Sequence, residues 1–167
     1  DPDHPIAGLI DSKKLSASKR EHLYGLIGEH ALAIGVGLAS PQEIDEMNIL
    51  QASLCAMSRA VDELNVMPDR ILCDGLHTPP TRIKATAIVR GDNTVECISA
   101  ASIIAKVHRD RLMTDMHREF PQFGFDKHKG YPTKAHRDAL RVYGPTIHHR
   151  QSFSPVKQCL NADAENN

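Results

Sequence analysis

The sequence predicts an α/β fold, and three stretches predict it. Residues 71–73, ILC, are a short apolar run that ends in Asp74 and Gly75, and residues 85–89 are a second run that ends in Arg90, Gly91 and Asp92. Residues 98–110, ISAASIIAKVHRD, are a helix of small and apolar residues that can lie close against a sheet. Short continuous apolar runs are the pattern of strands buried on both faces, which pair in parallel. Ligands of open α/β sheets gather beyond the carboxyl ends of such strands, which is where Asp74 stands.

Before these, residues 1–17 hold no strand pattern, only Pro2, Pro5, Gly8 and the run DSKKLS, so the expectation is a chain that starts inside a longer protein. Ser18 with Glu21 fits a capping box, and Leu23, Leu26 and Ile27 make the apolar stripe of a first helix over 19–30. In AIGVGLA, Ile34, Val36 and Leu38 alternate with Gly35 and Gly37, a strand whose glycine face implies close approach of another backbone. Ser40, Pro41 and Glu43 open a helix, and Met47, Leu50, Leu54, Met57, Val61 and Leu64 continue it as one long stripe. Residues 65–69 form a turn, and 77–82, with two prolines, a loop.

Ser99 is the expected N-cap of the 98–110 helix, which extends to residue 118. Within it Asp110 shares a face with Ile103 and Lys106, and a carboxylate on a core-facing stripe is costly unless something holds it. Two readings stay open: a metal or catalytic role, or a helix end frayed into water with Asp110 paired to Arg109 or Arg111. PQFGFDKHKGYPT, residues 121–133, is an ordered loop presenting cations beside Tyr131, which either stacks on a sugar or base or packs on its own loop. Thr133 caps a last helix to residue 143, ended by Gly144 and Pro145. One domain is expected over 1–157, followed by a disordered tail over 158–167.

Composition narrows the function classes. Twenty Lys and Arg against 21 Asp and Glu give a net charge of −1, so no global field draws the chain to nucleic acid or membrane, and any anion site is local. The four cysteines lack CxxC spacing and read as buried free thiols of a reducing compartment, which makes the protein cytoplasmic. No apolar run reaches membrane-spanning length. The ten histidines are scattered and read as surface or hydrogen-bonded groups rather than a zinc site. GxGxxG, Walker and GxSxG patterns are all missing, leaving nucleotide-cofactor and serine-hydrolase chemistry unsupported.

Carboxylates at two strand ends and on a helix can converge as oxygen-only ligands, the set that suits Mg²⁺ or Mn²⁺. Metal-assisted phosphodiester hydrolysis is the natural reaction. Lys13, Lys14, Arg90, Lys106, Arg109, Lys127 and Lys129 are candidates for a phosphate track.

DSKKLS at 11–16, EIDEMNIL at 43–50, CDG at 73–75, RGD at 90–92, SAASIIAKVHRD at 99–110, HKGYPT at 128–133 and HRQSFSPVK at 149–157 together resemble bacterial ribonuclease HII, in the family's order and through nearly the whole chain. The resemblance implies a ribonuclease H-like mixed sheet flanked by helices. It implies an endonuclease that cuts the RNA strand of RNA/DNA hybrids and incises duplex DNA 5′ to an embedded ribonucleotide, with Mn²⁺ or Mg²⁺. A monomer without membrane contact is expected. By the same resemblance Asp74 and Asp110 are metal-binding and catalytic carboxylates, Tyr131 stacks on the deoxyribose beside the ribonucleotide, and Lys13, Lys14, Lys106 and Arg109 are substrate-binding cations. One departure stands out. The family's first strand carries an acidic pair in a DEVGRG motif, followed by a second strand, and neither is among these 167 residues. A truncated fragment that binds nucleic acid without cutting is therefore the alternative. Activity of the chain as it stands would need another carboxylate, Asp92 for one.

Overall fold

Two parallel strands, β1 (Ile71–Asp74) and β2 (Ala85–Ile88), pair in register from Ile71 with Ala85 to Asp74 with Ile88. They bear out the parallel reading of the two apolar runs. Along β1 the side chains alternate, Cys73 being buried while Leu72 and Asp74 share the exposed face. The computed structural model describes residue 1 and residues 3–165. They fall into two compact units, one of residues 1–38 with 53–108, the other of 39–52 with 109 onward.

The first unit has its core between two helices. Helix α1 (Ala17–His30) starts on Ser16, whose hydroxyl accepts from the Lys19 amide, so the cap lies two residues before the expected Ser18. It buries Leu23 and Ile27 against Ile103, Ile104 and Val107 of helix α4 (Glu96–Glu119). Helix α4 is buried along one face rather than nearly all round, because Ala101 and Ala105 are exposed. It begins before Ser99, which is no cap. Its buried hydroxyl donates to the carbonyls of Asp92 (2.7 Å) and Val95 (3.2 Å), tying the helix to the turn before it.

Residues 34–38 form no strand and pair with none among the described residues, a correction to the expected strand. The close approach predicted from their glycines is present, though the neighbour is a helix. A Cβ on Gly35 would lie 2.0 Å from the Ala60 carbonyl oxygen, and one on Gly37 1.9 Å from that of Ala56, both in helix α3 (Ile49–Asp62). Only glycine lets the backbone rest that close to the helix.

The expected long helix is broken at Asn48, where φ is 72°, into α2 (Pro41–Met47) and α3. The Asn48 side chain accepts from the amides of Leu50 and Gln51, recapping the second helix as it ends the first. The capping box of Ser40 with Glu43 is as read from the sequence.

In the second unit Phe123, Phe125, Leu140 and Val156 form the core, drawn from the 121–123 turn and helices α5 (Phe125–His128), α6 (Lys134–Tyr143) and α7 (Ser154–Glu165). Thr133 and Gly144 bound α6 as expected. The tail expected to be disordered from 158 is instead helix as far as Glu165; Val156, Cys159 and Leu160 recur at helical spacing and pack on that core. Positions 166 and 167 lie outside the described residues.

Candidate active site

In the first unit the site is built on the carboxyl end of β1. Asp74 leaves the strand with its side chain exposed, and its Oδ1 accepts from the Gly91 amide at 2.8 Å. That amide belongs to the turn after β2, opened by Arg90 in the left-handed conformation (φ 56°). Gly91 is buried there, and a Cβ on it would lie 2.6 Å from Ile98 Cδ1. The same turn gathers further groups: Asn93 donates to Asp92 Oδ1 at 2.6 Å, and Lys14 Nζ donates to Asn93 Oδ1. Lys14 arrives on the 12–14 turn, capped by Asp11, which accepts the Lys13 amide at 2.9 Å. DSKK, CDG and RGD thus meet at one turn, which carries Asp92 and is contacted by Asp74 through Gly91 and by Lys14 through Asn93. Lys13 is exposed, and Lys106 is half-buried within α4.

The second unit brings Arg109, Asp110 and the HKGYPT loop together. Asp110 is half-buried in the interior of α4, nine residues before its end at Glu119, so it does not sit at a frayed helix end. Lys129, with φ 50°, donates from Nζ to the Asp110 carbonyl (3.4 Å) and to Thr114 Oγ1 (3.1 Å). Arg109 Nη2 in turn donates to the Lys129 carbonyl at 3.4 Å. Tyr131 is 62% exposed.

Several groups in this unit escaped the sequence reading. Asp45, of EIDEMNIL, accepts from the amides of Gln151 (2.7 Å) and Ser152 (3.0 Å) and from the Ser152 hydroxyl, clasping the HRQSF segment. Burial works against its charge, but these hydrogen bonds and the nearby Arg150 prevail and hold its carboxyl below the usual range. Arg150 lies 3.5 Å over the Phe153 ring, its guanidinium pKa lowered by burial and by the charge of Arg109. His128, His136 and His149 cluster among the phenylalanines, with His128 and His136 stacked 4.5 Å apart. Burial lowers the pKa of His136, and that of His149 to about 4. Their scatter in sequence gave no signal, although hydrogen-bonded histidine was the expected class.

All four cysteines are free. Cys73 is buried, which raises its thiol pKa, whereas Cys97 is exposed on α4 and not buried as its apolar neighbours led one to expect. Among the described residues no three His, Cys, Asp or Glu side chains gather into a metal-sized group. Asp74 and Asp110, each in its own unit, carry hard oxygen donors of the kind Mg²⁺ and Mn²⁺ prefer.

The α/β fold is ribonuclease H-like. The crystal structure of ribonuclease H2 from Pyrococcus horikoshii OT3 is similar with a TM-score of 0.75 and 27% identity, covering 95% of this chain and 83% of that one. The structure of the PCNA:RNase HII complex from Archaeoglobus fulgidus, at 22% identity and a TM-score of 0.64, covers 88% of this chain and 79% of that one and shares the fold. The ribonuclease HII family model matches residues 5–156. Ribonuclease HII of Shewanella halifaxensis is 54% identical over 160 residues, 96% of this chain and 79% of that protein, and that of Shewanella amazonensis 52% identical over 164 residues, 98% and 80%. The chain belongs to the ribonuclease HII family, metal-dependent endonucleases that act on RNA/DNA hybrids. Among the described residues no helix is long and apolar enough to cross a membrane.

Proposed function

We propose that this protein hydrolyses the RNA strand of RNA/DNA hybrids and incises duplex DNA on the 5′ side of a single embedded ribonucleotide, the opening step of ribonucleotide excision repair. The observation that carries the reading is Asp74, exposed at the carboxyl end of a parallel strand with one oxygen fixed by the Gly91 amide. Asp74 and Asp110 would be carboxylate ligands of Mn²⁺ or Mg²⁺, with Asp92 as the further carboxylate that cutting by this chain requires; when bound, the ion would supply an activated water and charge stabilisation at the leaving oxygen. Lys13, Lys14, Lys106 and Arg109 bind substrate phosphates, whose positions fix the register of the duplex. The exposed Tyr131 ring stacks on the sugar next to the ribonucleotide. The protein works as a monomer, and four free thiols suit the reducing cytoplasm.

A second reading is binding without cleavage, favoured by the lack of a three-ligand cluster among the described residues. Both are tested by giving the protein Mn²⁺ and an end-labelled DNA duplex with one ribonucleotide. A single product ending 5′ to the ribonucleotide on a denaturing gel supports incision. A shifted but uncut duplex supports the binding reading.

A further inference from the structure

We propose that His136 and His149 are positioning residues for Tyr131: a relay of two neutral imidazoles that fixes the Tyr131 carbonyl and so sets where its ring meets the substrate. The inference rests on the reading of Tyr131 as a substrate contact.

The relay has a single direction, which hydrogen-bond chemistry fixes. The Thr146 amide can only donate, and it points at His149 Nδ1 from 3.0 Å, so that nitrogen carries no proton. The proton of neutral His149 is therefore on Nε2, which faces His136 Nε2 at 3.2 Å and donates to it. His136 then carries its proton on Nδ1, which lies 3.0 Å from the Tyr131 carbonyl oxygen and donates there. His128 is fixed by the same logic. The Gly130 amide donates to its Nδ1 at 3.3 Å, so its Nε2 donates to the Phe123 carbonyl at 2.7 Å.

His128 stacks on His136, so the cluster grips the amide of Gly130 and the carbonyl of Tyr131, on both sides of one peptide bond. His136 and His149 are 6% and 8% exposed, whereas the Tyr131 ring points outward with no aromatic contact among the described residues. The cluster therefore holds the backbone from which that ring projects. An apolar filler would pack against Phe123 and Phe125 equally well but could not hold a carbonyl. Buried imidazoles carry a desolvation cost that packing alone does not require.

The test uses the full chain and a fluorescein-labelled DNA duplex holding one ribonucleotide, with Ca²⁺ as the divalent ion and binding read by anisotropy. Tyr131→Ala is expected to weaken binding about tenfold, within the range of a lost stacking contact. His136→Leu weakens it at least about fivefold, and His136→Asn, whose amide can still reach the Tyr131 carbonyl, returns it to within about twofold of the parent. In the Tyr131→Ala background, His136→Leu changes affinity less than about twofold. Additive losses in the double variant, or His136→Asn no better than His136→Leu, overturn the relay while leaving Tyr131 as a contact. An unchanged affinity for Tyr131→Ala overturns the substrate role of Tyr131, and the positioning role with it. Imidazole ¹⁵N spectra of the unsubstituted protein give a check free of any variant: His136 protonated on Nδ1 and His149 on Nε2 at pH 7, any other tautomer pair refuting the relay.

Discussion

Acid should loosen the second unit through His149. The ring is 8% exposed and its pKa is lowered to about 4 from an ordinary 6.5, by burial first and by neighbouring His136 second. The unfolded chain therefore binds a proton between pH 6.5 and 4 that the folded chain refuses. This contribution is fully present above pH 6.5 and is lost as pH falls towards 4. Linkage gives about 2 kcal/mol lost between pH 7 and pH 5, and about 3 kcal/mol by pH 4. His136, lowered in the same direction, adds to the loss with the same sign. Urea unfolding followed by circular dichroism at pH 7, 6 and 5 measures it, with His149→Gln as the control that cannot titrate. The variant should be weaker at pH 7 but should lose less stability than the parent on going to pH 5. Equal pH dependence in the two proteins would refute the argument.

Three substitutions test the local packing. Gly37→Ala places a Cβ 1.9 Å from the Ala56 carbonyl oxygen and should cost about 3 kcal/mol, the upper end for overpacking, seen as a lower urea midpoint. Gly25→Ala, in the middle of α1 with nothing within 4 Å of its Cβ position, should instead raise stability by about 0.5–1 kcal/mol in the same experiment. Asp45→Ala removes the acceptor for two amides and a hydroxyl and should cost about 1–2 kcal/mol, with hydrogen exchange at the Gln151 and Ser152 amides accelerated at least about tenfold.

What the sequence made legible was what local chemistry decides. The parallel strands announced themselves as apolar runs ending in Asp74 and Asp92, and the Ser40 box followed from three residues. The glycines at 35 and 37 declared a close backbone, though not that the neighbour would be a helix. The break at Asn48 was hidden because the apolar spacing of Met47, Leu50 and Leu54 runs through it, while a left-handed residue changes direction without changing the pattern. Ser99 reads as a cap because serine favours that position, yet tertiary packing gave its hydroxyl two carbonyls and started the helix earlier. The histidine relay and the Asp45 clasp could not be read at all, since each joins residues distant in the chain whose partners are chosen by folding.

The most direct measurement of the central claim compares the parent protein with Asp74→Asn on the ribonucleotide-containing duplex at saturating Mn²⁺. Asparagine keeps the side chain's shape and a carbonyl oxygen for the Gly91 amide, but it loses the charge a divalent cation needs. The parent is expected to incise and the variant to lose at least about 100-fold in rate, with thermal stability unchanged. Incision that survives Asp74→Asn undiminished would contradict this expectation.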